Sequence, residues 1–241
     1  MLAHALMEIK GFIDVSFSDW DGKVSSVIFL PGCNFRCPFC YNRRLVLEPE
    51  TMPTIEFGRI RKYLEANRKW IDGVVITGGE PTLHKELPAL CSRLKGLGFC
   101  VKVDTNGTNP AVMRNLIGSQ LVDYVAVDVK APLAEDEYSR VSGIDATTVL
   151  GKIMETLQML LEDIVDYEFR TTLVPTLHKP DAVERICQAI KGCRKYAIQG
   201  FKSDVEVIDL GFQDSKPFSK AEMDAFFQAA KKIVPNTSLR G

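Results

Sequence analysis

The apolar positions of this chain follow two different periods, which alternate along its length. Short β-rich apolar runs predict strands over residues 25–30, 73–77, 99–104, 124–129, 167–174, 195–199 and 205–210. Longer segments in which apolar residues recur every three or four positions predict helices over residues 55–68, 85–97, 110–117, 146–163, 181–191 and 220–233. An earlier strand over residues 13–17 and a turn at Asp21-Gly22 predict a β-hairpin with the strand 25–30. We therefore expect an α/β protein.

The number of strand–helix units limits the architecture. One βα unit takes about 30 residues, so six units need about 180, and residues 25–199 supply 175. Because a closed TIM barrel needs eight units, we expect an incomplete, open-sided (β/α)6 partial TIM-type barrel. Residues 1–24 are expected to form an N-terminal β-hairpin extension and residues 25–200 the partial barrel. A C-terminal strand and helix, within residues 201–241, are expected to pack on the same domain.

Composition and charge exclude several classes of protein. Of the 241 residues, 46% are hydrophobic and 25% are charged, which is typical of a globular domain. Lys and Arg total 30 against 31 for Asp and Glu, a net charge of -1, so neither nucleic acid nor a membrane is an expected partner. No apolar run reaches the ~20 residues of a spanning helix, and the start lacks a signal-peptide pattern, so we expect a cytoplasmic protein.

Unusual polar residues collect at one end of the predicted strands. In chain order they are Cys33, Cys37 and Cys40, then Gly78-Gly79-Glu80, Asp104 with Thr105, Asp128 with Lys130, and Arg170. Parallel α/β sheets bind ligands at the carboxyl ends of their strands. These groups are therefore expected to converge on one cavity.

Three of the seven cysteines lie within eight residues, as Cys33-x3-Cys37-x2-Cys40. Three soft thiolate ligands suit zinc or an iron–sulfur cluster. Structural zinc sites take a fourth protein ligand, and no further Cys or His stands at a suitable spacing. Three cysteines would leave one iron of a four-iron cluster open for a substrate. Three buried core cysteines are the alternative interpretation.

The remaining cysteines are scattered, and we interpret them as core or helix-face thiols rather than a second cluster. They are Cys91, Cys100, Cys187 and Cys193.

The other motifs each have two interpretations. Gly78-Gly79 lets a ligand approach the backbone, and Glu80 can accept a hydrogen bond from an ammonium group; alternatively, the motif is an ordinary strand-to-helix turn. Asp104 and Asp128 either face a ligand or a cation, or cap local backbone. Lys130 either neutralises these carboxylates or meets the carboxylate of a ligand.

These motifs together resemble a known family. The cysteine motif, with Phe39 before its last cysteine, resembles the signature of the radical S-adenosylmethionine (SAM) superfamily. The motifs at Gly78–Pro81, Asp104–Gly107 and Asp128–Lys130 resemble, in order and spacing, those of the glycyl-radical enzyme activases. Residues 17–33 are most similar to the activating proteins of anaerobic ribonucleoside-triphosphate reductase, and the resemblance as a whole covers residues 15–199.

The resemblance implies a role for each motif. Cys33, Cys37 and Cys40 would ligate a 4Fe-4S cluster whose fourth iron is chelated by the amino and carboxylate groups of SAM. Glu80 and the Gly78-Gly79 backbone would hold the amino group of SAM.

Further roles follow from the same resemblance. Phe39 would lie near the adenine, and Arg170 would bind the carboxylate. Asp104, Thr105 and Asp128 match positions near the methionine moiety where related activases hold a monovalent cation.

The chemistry implied by the family is reductive cleavage of SAM to methionine and a 5′-deoxyadenosyl radical. The leading hypothesis is an activase that installs a glycyl radical on a large enzyme such as anaerobic ribonucleotide reductase and is served by a low-potential electron donor. One alternative is a radical SAM enzyme acting directly on a small molecule or peptide, or an activase of another glycyl-radical enzyme. An iron–sulfur electron carrier is disfavoured, because carriers usually ligate every iron with protein.

Overall fold

The computed structural model describes residues 7–202, 204–212 and 215–240. In this part of the chain there are eight strands, β1 (Gly11–Ser16), β2 (Ser25–Leu30), β3 (Gly73–Gly78), β4 (Cys100–Thr105), β5 (Tyr124–Asp128), β6 (Asp166–Leu173), β7 (Tyr196–Gly200) and β8 (Thr237–Arg240). They form one open sheet in the order β1 to β8. The α-helices are α1 (Arg43–Leu47), α2 (Phe57–Ala66), α3 (Leu87–Gly96), α4 (Pro110–Gly118), α5 (Glu135–Ser142), α6 (Leu150–Leu161), α7 (Ala182–Ala189) and α8 (Lys220–Lys231).

The predicted alternation of strands and helices is confirmed from β2 to β7. The sequence pattern missed α1 and α5, because α1 has only five residues and α5 is polar over most of its length. It also missed β8, a four-residue strand.

The strand predicted over residues 205–210 is wrong. In the described part of that segment there is no strand, and a 3-10 turn follows at Leu210–Phe212. The backbone N–H groups of Ile208 and Asp209 bond instead to the carbonyls of Cys40 and Pro38, at 3.1 and 2.9 Å. The apolar alternation of this segment is typical of a strand, but its backbone pairs with a loop.

The chain divides into two compact units. The first contains residues up to Asn34, Arg44–Thr105 and Ala111–Val125. In it β1 pairs antiparallel with β2, which confirms the predicted hairpin, and β2, β3 and β4 pair in parallel. The strands β2, β3 and β4 are buried along most of their length, as expected for parallel strands covered on both faces.

A small aromatic cluster lies at the beginning of the parallel strands of this unit. Trp20 packs with Val27, Val75 and Tyr124, and its ring centroid lies 5.7 Å from that of Tyr124. A Cβ on Gly73 would lie 2.7 Å from the Trp20 ring, so the first residue of β3 has to be glycine. The loop before β2 therefore covers the amino ends of the strands.

The second unit contains Phe35–Arg43, Asn106–Pro110 and the residues from Ala126 onward. Its strands β6, β7 and β8 pair in parallel. The Arg240 guanidinium binds the buried Glu168 carboxylate through two bonds of 2.6 and 3.2 Å. The last strand is thus fixed to the interior of its unit by a bidentate ion pair.

Within the described residues, no helix has the length and apolar character needed to cross a membrane.

Candidate active site

In the first unit, three of the sequence motifs lie at the ends of neighbouring strands. Cys33 follows β2, Gly78-Gly79-Glu80 follows from β3, and Asp104-Thr105 ends β4. Since these strands are parallel neighbours, their carboxyl ends share one edge of the unit. These three motifs therefore lie at one edge of the first unit, and their convergence with the other motifs on one cavity stays a prediction.

Glu80 is a buried carboxylate with three hydrogen bonds to one oxygen. Its Oε1 accepts from the Thr82 backbone N–H at 3.0 Å, from Thr82 Oγ1 at 2.6 Å and from Thr105 Oγ1 at 2.8 Å. Only 1% of the residue is exposed. The bond from Thr105 joins the ends of β3 and β4 and fixes the orientation of the carboxylate.

The two glycines before Glu80 permit a close backbone approach within the protein itself. A Cβ on Gly79 would lie 1.7 Å from the carbonyl oxygen of Gly32, and a Cβ on Gly78 would lie 2.4 Å from that of Leu30. The N–H groups of Gly79 and Glu80 donate to the Leu30 and Gly32 carbonyls at 2.9 and 2.8 Å. Glycine is thus needed at both positions so that this backbone can pack against the segment before Cys33. The approach of a ligand, expected from the sequence, is a different reason for the same glycines.

The segment before Cys33 is fixed by two further bonds. The Gly32 N–H donates to the Leu45 carbonyl at 2.8 Å, and His84 Nε2 bonds to the Pro31 carbonyl at 2.8 Å. Cys33 therefore follows a segment whose backbone is held on both sides.

Asp104 faces a buried lysine on its own strand. Lys102 Nζ lies 3.5 Å from Asp104 Oδ1, and their side chains are 2% and 9% exposed. The Lys102 ammonium also donates to the Asp19 carbonyl and lies 5.5 Å from the centroid of the Tyr124 ring. A buried ion pair therefore lies directly before Thr105, and sequence reasoning missed its lysine.

In the second unit, the loop that carries Cys37 and Cys40 is held on its backbone. The Cys40 N–H donates to the Cys37 carbonyl at 3.0 Å, forming a tight turn around Pro38. The Ile208 and Asp209 N–H groups donate to carbonyls of this turn, those of Cys40 and Pro38. These backbone contacts order the turn, and neither Cys37 nor Cys40 forms a disulfide.

The same loop is anchored next to α5. The Arg36 N–H donates to the Ser142 carbonyl at 2.8 Å. Gly143, which ends α5 at φ +69°, would place a Cβ 2.1 Å from the Arg36 carbonyl, so the left-handed turn and the close approach both require glycine. Phe39 lies buried in this loop with 6% of its surface exposed.

The Cys40 thiol is influenced by opposing effects. Burial raises its pKa, while the backbone N–H of Asn42 and the Lys130 ammonium act to lower it. A hydrogen bond and a cation are the features that stabilise a thiolate.

Asp128, Lys130 and Arg170 form one charged group in the second unit. Arg170 Nε binds Asp128 Oδ1 at 2.9 Å, and Lys130 Nζ binds Asp128 Oδ2 at 3.1 Å. Burial acts to raise the pKa of Asp128, but Arg170 and then Lys130 hold it well below its usual range. Burial acts to lower the pKa of Lys130, but Asp128 and then Cys37 raise it. Two cations therefore share the Asp128 carboxylate.

A buried histidine, also missed in the sequence, supports this charged group. His178 Nδ1 accepts from the Val174 N–H at 3.0 Å, so its proton lies on Nε2, which donates to the Lys130 carbonyl at 2.8 Å. Burial lowers the pKa of His178, in keeping with a neutral ring. The histidine fixes the backbone of Lys130, and Tyr138 Oη accepts from the Lys130 N–H at 3.4 Å.

Three of the four scattered cysteines lie in the core. Cys91, Cys187 and Cys193 are buried, and burial raises the pKa of each to about 12. Cys100 is partly exposed at the start of β4. These environments agree with their interpretation as core thiols.

No group of three or more His, Cys, Asp or Glu side chains that could hold a metal ion is present in the described ranges. The ligand role of Cys33, Cys37 and Cys40 therefore stays a prediction.

Comparison with known proteins identifies the family. Residues 27–204 match the model of the radical SAM superfamily. Over 235 residues the chain is 35% identical to the "putative glycyl-radical enzyme activating enzyme MJ1227" of Methanocaldococcus jannaschii, covering 96% of this chain and 95% of that protein. The chain belongs to the radical SAM superfamily, as its cysteine motif predicted, and it is a radical SAM enzyme.

Two further relatives cover most of the chain. It is 25% identical to a 7-carboxy-7-deazaguanine synthase of Thermococcus kodakarensis, over 90% of each chain. The crystal structure of QueE from Escherichia coli is similar with a TM-score of 0.55 at 18% identity, covering 98% of this chain and 95% of that one. This structural similarity confirms the predicted partial TIM-type fold.

The family uses a 4Fe-4S cluster and SAM, and residues of each unit suit these groups. Burial raises the pKa of the Cys40 thiol, and the Asn42 N–H and the Lys130 ammonium partly oppose this shift, as a metal-bound sulfur would require. The oriented Glu80 carboxylate suits an ammonium group, and the Arg170 guanidinium, oriented by Asp128, suits a carboxylate.

Proposed function

We propose that this enzyme installs a glycyl radical on a large partner enzyme, and that anaerobic ribonucleoside-triphosphate reductase is the first partner to test. The observation that carries the proposal is the 35% identity, over nearly the whole of both chains, to a protein named as a glycyl-radical enzyme activating enzyme. The motifs at Gly78–Pro81, Asp104–Gly107 and Asp128–Lys130 support it, because they resemble those of the activases in order and spacing.

Three cysteines would hold the cluster in this proposal, namely Cys33, Cys37 and Cys40. When bound and reduced by a low-potential donor, the cluster and SAM together supply a 5′-deoxyadenosyl radical that can abstract a hydrogen atom. The contribution of the protein is to fix these groups and to keep them dry. The bonds that hold Pro31–Gly32 and the Pro38 turn support the first of these tasks.

The SAM amino group would bind at Glu80 in this proposal. Three hydrogen bonds converge on Glu80 Oε1 and fix the plane of the carboxylate, so little side-chain entropy remains to be lost when an ammonium binds. The backbone of Gly78-Gly79, already bound to the chain before Cys33, would line the same position.

The SAM carboxylate would bind at Arg170 in this proposal, and Phe39 would lie near the adenine. Arg170 and Lys130 are already oriented by Asp128. The guanidinium offers two parallel N–H groups to a carboxylate, and Asp128 prevents the two long side chains from moving apart.

The proposal is tested by anaerobic mixing. Protein reconstituted with iron and sulfide, reduced with dithionite or a flavodoxin, is mixed with SAM and a candidate glycyl-radical enzyme, and the electron paramagnetic resonance spectrum is recorded. We expect a glycyl-radical doublet that requires SAM. A partner variant with Ala at the radical glycine, and the Cys37→Ala variant of this chain, serve as negative controls. SAM cleavage without a doublet on any candidate partner would contradict the proposal.

A second candidate is direct radical chemistry on a small molecule. The similarity to a 7-carboxy-7-deazaguanine synthase over 90% of each chain favours it, although the identity of 25% is lower. The two candidates differ in the source of the abstracted hydrogen. A small-molecule enzyme would abstract hydrogen from its substrate, and would convert that substrate with SAM in the absence of any protein partner.

A further inference from the structure

The residues that the resemblance relates to a monovalent cation are already engaged by the protein. Asp128 binds Arg170 through Oδ1 and Lys130 through Oδ2. Thr105 Oγ1 donates to Glu80. Asp104 Oδ1 faces the Lys102 ammonium at 3.5 Å. A metal cation at Asp104 Oδ1 would therefore lie beside an ammonium group, whose charge opposes its binding.

We propose that Lys102 is the cation of this site: its ammonium neutralises Asp104 from inside the first unit, so SAM binds without a monovalent metal ion. The proposal rests on the proposed SAM site, because it concerns the charge beside Thr105 and Glu80. It makes Lys102 a positioning residue, which acts on SAM through Asp104.

The burial of Lys102 indicates that its charge is needed. Lysine is almost never fully buried unless it is paired, and the Lys102 side chain is 2% exposed. Its ammonium has a carboxylate, a backbone carbonyl and an aromatic face as neighbours, from Asp104, Asp19 and Tyr124. These three groups stabilise the Lys102 ammonium, and each of them belongs to the first unit.

The position of the pair links it to the site. Lys102 and Asp104 are two positions apart on β4, so their side chains lie on the same face of the strand. Thr105 is the next residue and ends the strand. Thr105 holds the Glu80 carboxylate. A change in the charge at Asp104 therefore reaches Thr105, the group that orients Glu80, through the backbone of β4.

The first test measures SAM affinity against the cation in the buffer. Reconstituted wild-type protein is titrated with SAM in potassium, sodium or tetramethylammonium chloride at equal ionic strength. The dissociation constants should agree within about twofold, because the internal ammonium is always present. A gain of about fivefold or more in potassium or sodium over tetramethylammonium would overturn the proposal.

The second test removes the internal cation. Lys102→Ala should bind SAM about tenfold more weakly in tetramethylammonium and should recover in potassium or sodium, which can enter the space left by the side chain. Lys95→Ala is the matched control, since Lys95 forms a 2.6 Å ion pair with Asp123 in the same unit, and it should show no cation dependence. A Lys102→Ala variant whose affinity is equally low in all three salts would contradict the proposal.

The third test does not depend on SAM. Crystals of the wild type and of Lys102→Ala are soaked in rubidium chloride, and anomalous scattering locates the ion. We expect a peak at the Asp104 carboxylate only in the variant. A peak there in the wild type, or its absence from both, would overturn the role of Lys102. If SAM did not bind in any of the three salts, the proposed function would be contradicted. The rubidium experiment would still show whether Lys102 takes the place of a metal cation at Asp104.

A paired variant covers the case in which Lys102→Ala does not fold. Lys102→Met combined with Asp104→Asn removes both charges, and no carboxylate then requires a cation. Its SAM affinity should be the same in the three salts. A potassium dependence in this variant would show that the ion binds elsewhere and would contradict the proposal.

Discussion

Thr105 Oγ1 donates a hydrogen bond of 2.8 Å to Glu80 Oε1, so a residue at the end of β4 holds the carboxylate that follows β3. Both side chains are buried, at 2% and 1% exposure. The bond connects two motifs that are 25 residues apart in the sequence. The orientation of Glu80 therefore depends on the neighbouring strand as well as on its own turn.

We predict that Thr105→Val weakens SAM binding by about threefold to tenfold and destabilises the protein by about 1–2 kcal/mol, because a hydrogen bond to a charged group is lost at unchanged volume. Titration and denaturant unfolding measure the two effects. Thr105→Ser, which keeps the hydroxyl, should restore most of the affinity.

The matched control is Thr171→Val, since Thr171 is a buried threonine that donates a 2.8 Å bond to the Val129 carbonyl in the second unit. It should lose stability without the same loss of affinity. Equal SAM affinity of Thr105→Val and wild type would show that this bond does not support the site.

We predict that Gly79→Ala prevents stable assembly of the cluster. Its Cβ would meet the Gly32 carbonyl at 1.7 Å, so the segment before Cys33 must move. Iron content after anaerobic reconstitution measures the effect. Gly58→Ala is the control, because Gly58 lies in α2 and a Cβ added there would meet no atom within 4 Å, and this change should stabilise the helix by about 0.5–1 kcal/mol. Normal iron content in Gly79→Ala would contradict this prediction.

We predict that Arg170→Met weakens SAM binding by about tenfold or more, because the carboxylate of SAM loses a charged partner and Asp128 keeps only Lys130. The pKa of Asp128 should rise toward its usual range. Arg194→Met, which removes an exposed arginine bound to Asp163 and Asp166 in the same unit, is the control for charge and should bind SAM normally. If Arg170→Met bound SAM as tightly as Arg194→Met, Arg170 would not contact the ligand.

We predict that His178 makes the free energy of unfolding decrease as the pH falls below about 6.5. Because the pKa of His178 is lowered in the folded protein by burial, the unfolded chain takes up its proton first as the pH falls. The stabilising contribution is therefore complete above about pH 6.5 and decreases below it. Unfolding of wild type and His178→Gln, compared from pH 8 to pH 5, measures the difference. A stability difference between the two proteins that is constant over this range would contradict the prediction.

The sequence predicted the fold well where the hydrophobic period was long and regular. The strands β2 to β7 were found close to their observed positions, because each is a buried apolar run bounded by turn residues. The segment 205–210 failed for the opposite reason. Its alternation resembles a strand, but the N–H groups of Ile208 and Asp209 find their acceptors in the cysteine loop, a long-range contact that a local pattern does not contain.

The motifs of the site were visible in the sequence, but their supporting contacts were not. Asp104 was predicted as a site residue because it lies at the end of an apolar strand. A lysine within a strand, such as Lys102, is ordinarily predicted to be exposed. His178 lies beyond β6 and contacts Lys130 across 48 residues. Such partners depend on tertiary packing, which one sequence does not reveal.

The central claim, that the abstracted hydrogen comes from a glycine of a protein partner, is tested most directly by isotope transfer. The partner enzyme is produced with deuterated glycine and mixed anaerobically with the reduced, reconstituted protein and unlabelled SAM, and the mass of the 5′-deoxyadenosine formed is measured. We predict that the product carries one deuterium. Formation of 5′-deoxyadenosine without deuterium, at the same rate with and without the partner, would contradict the claim.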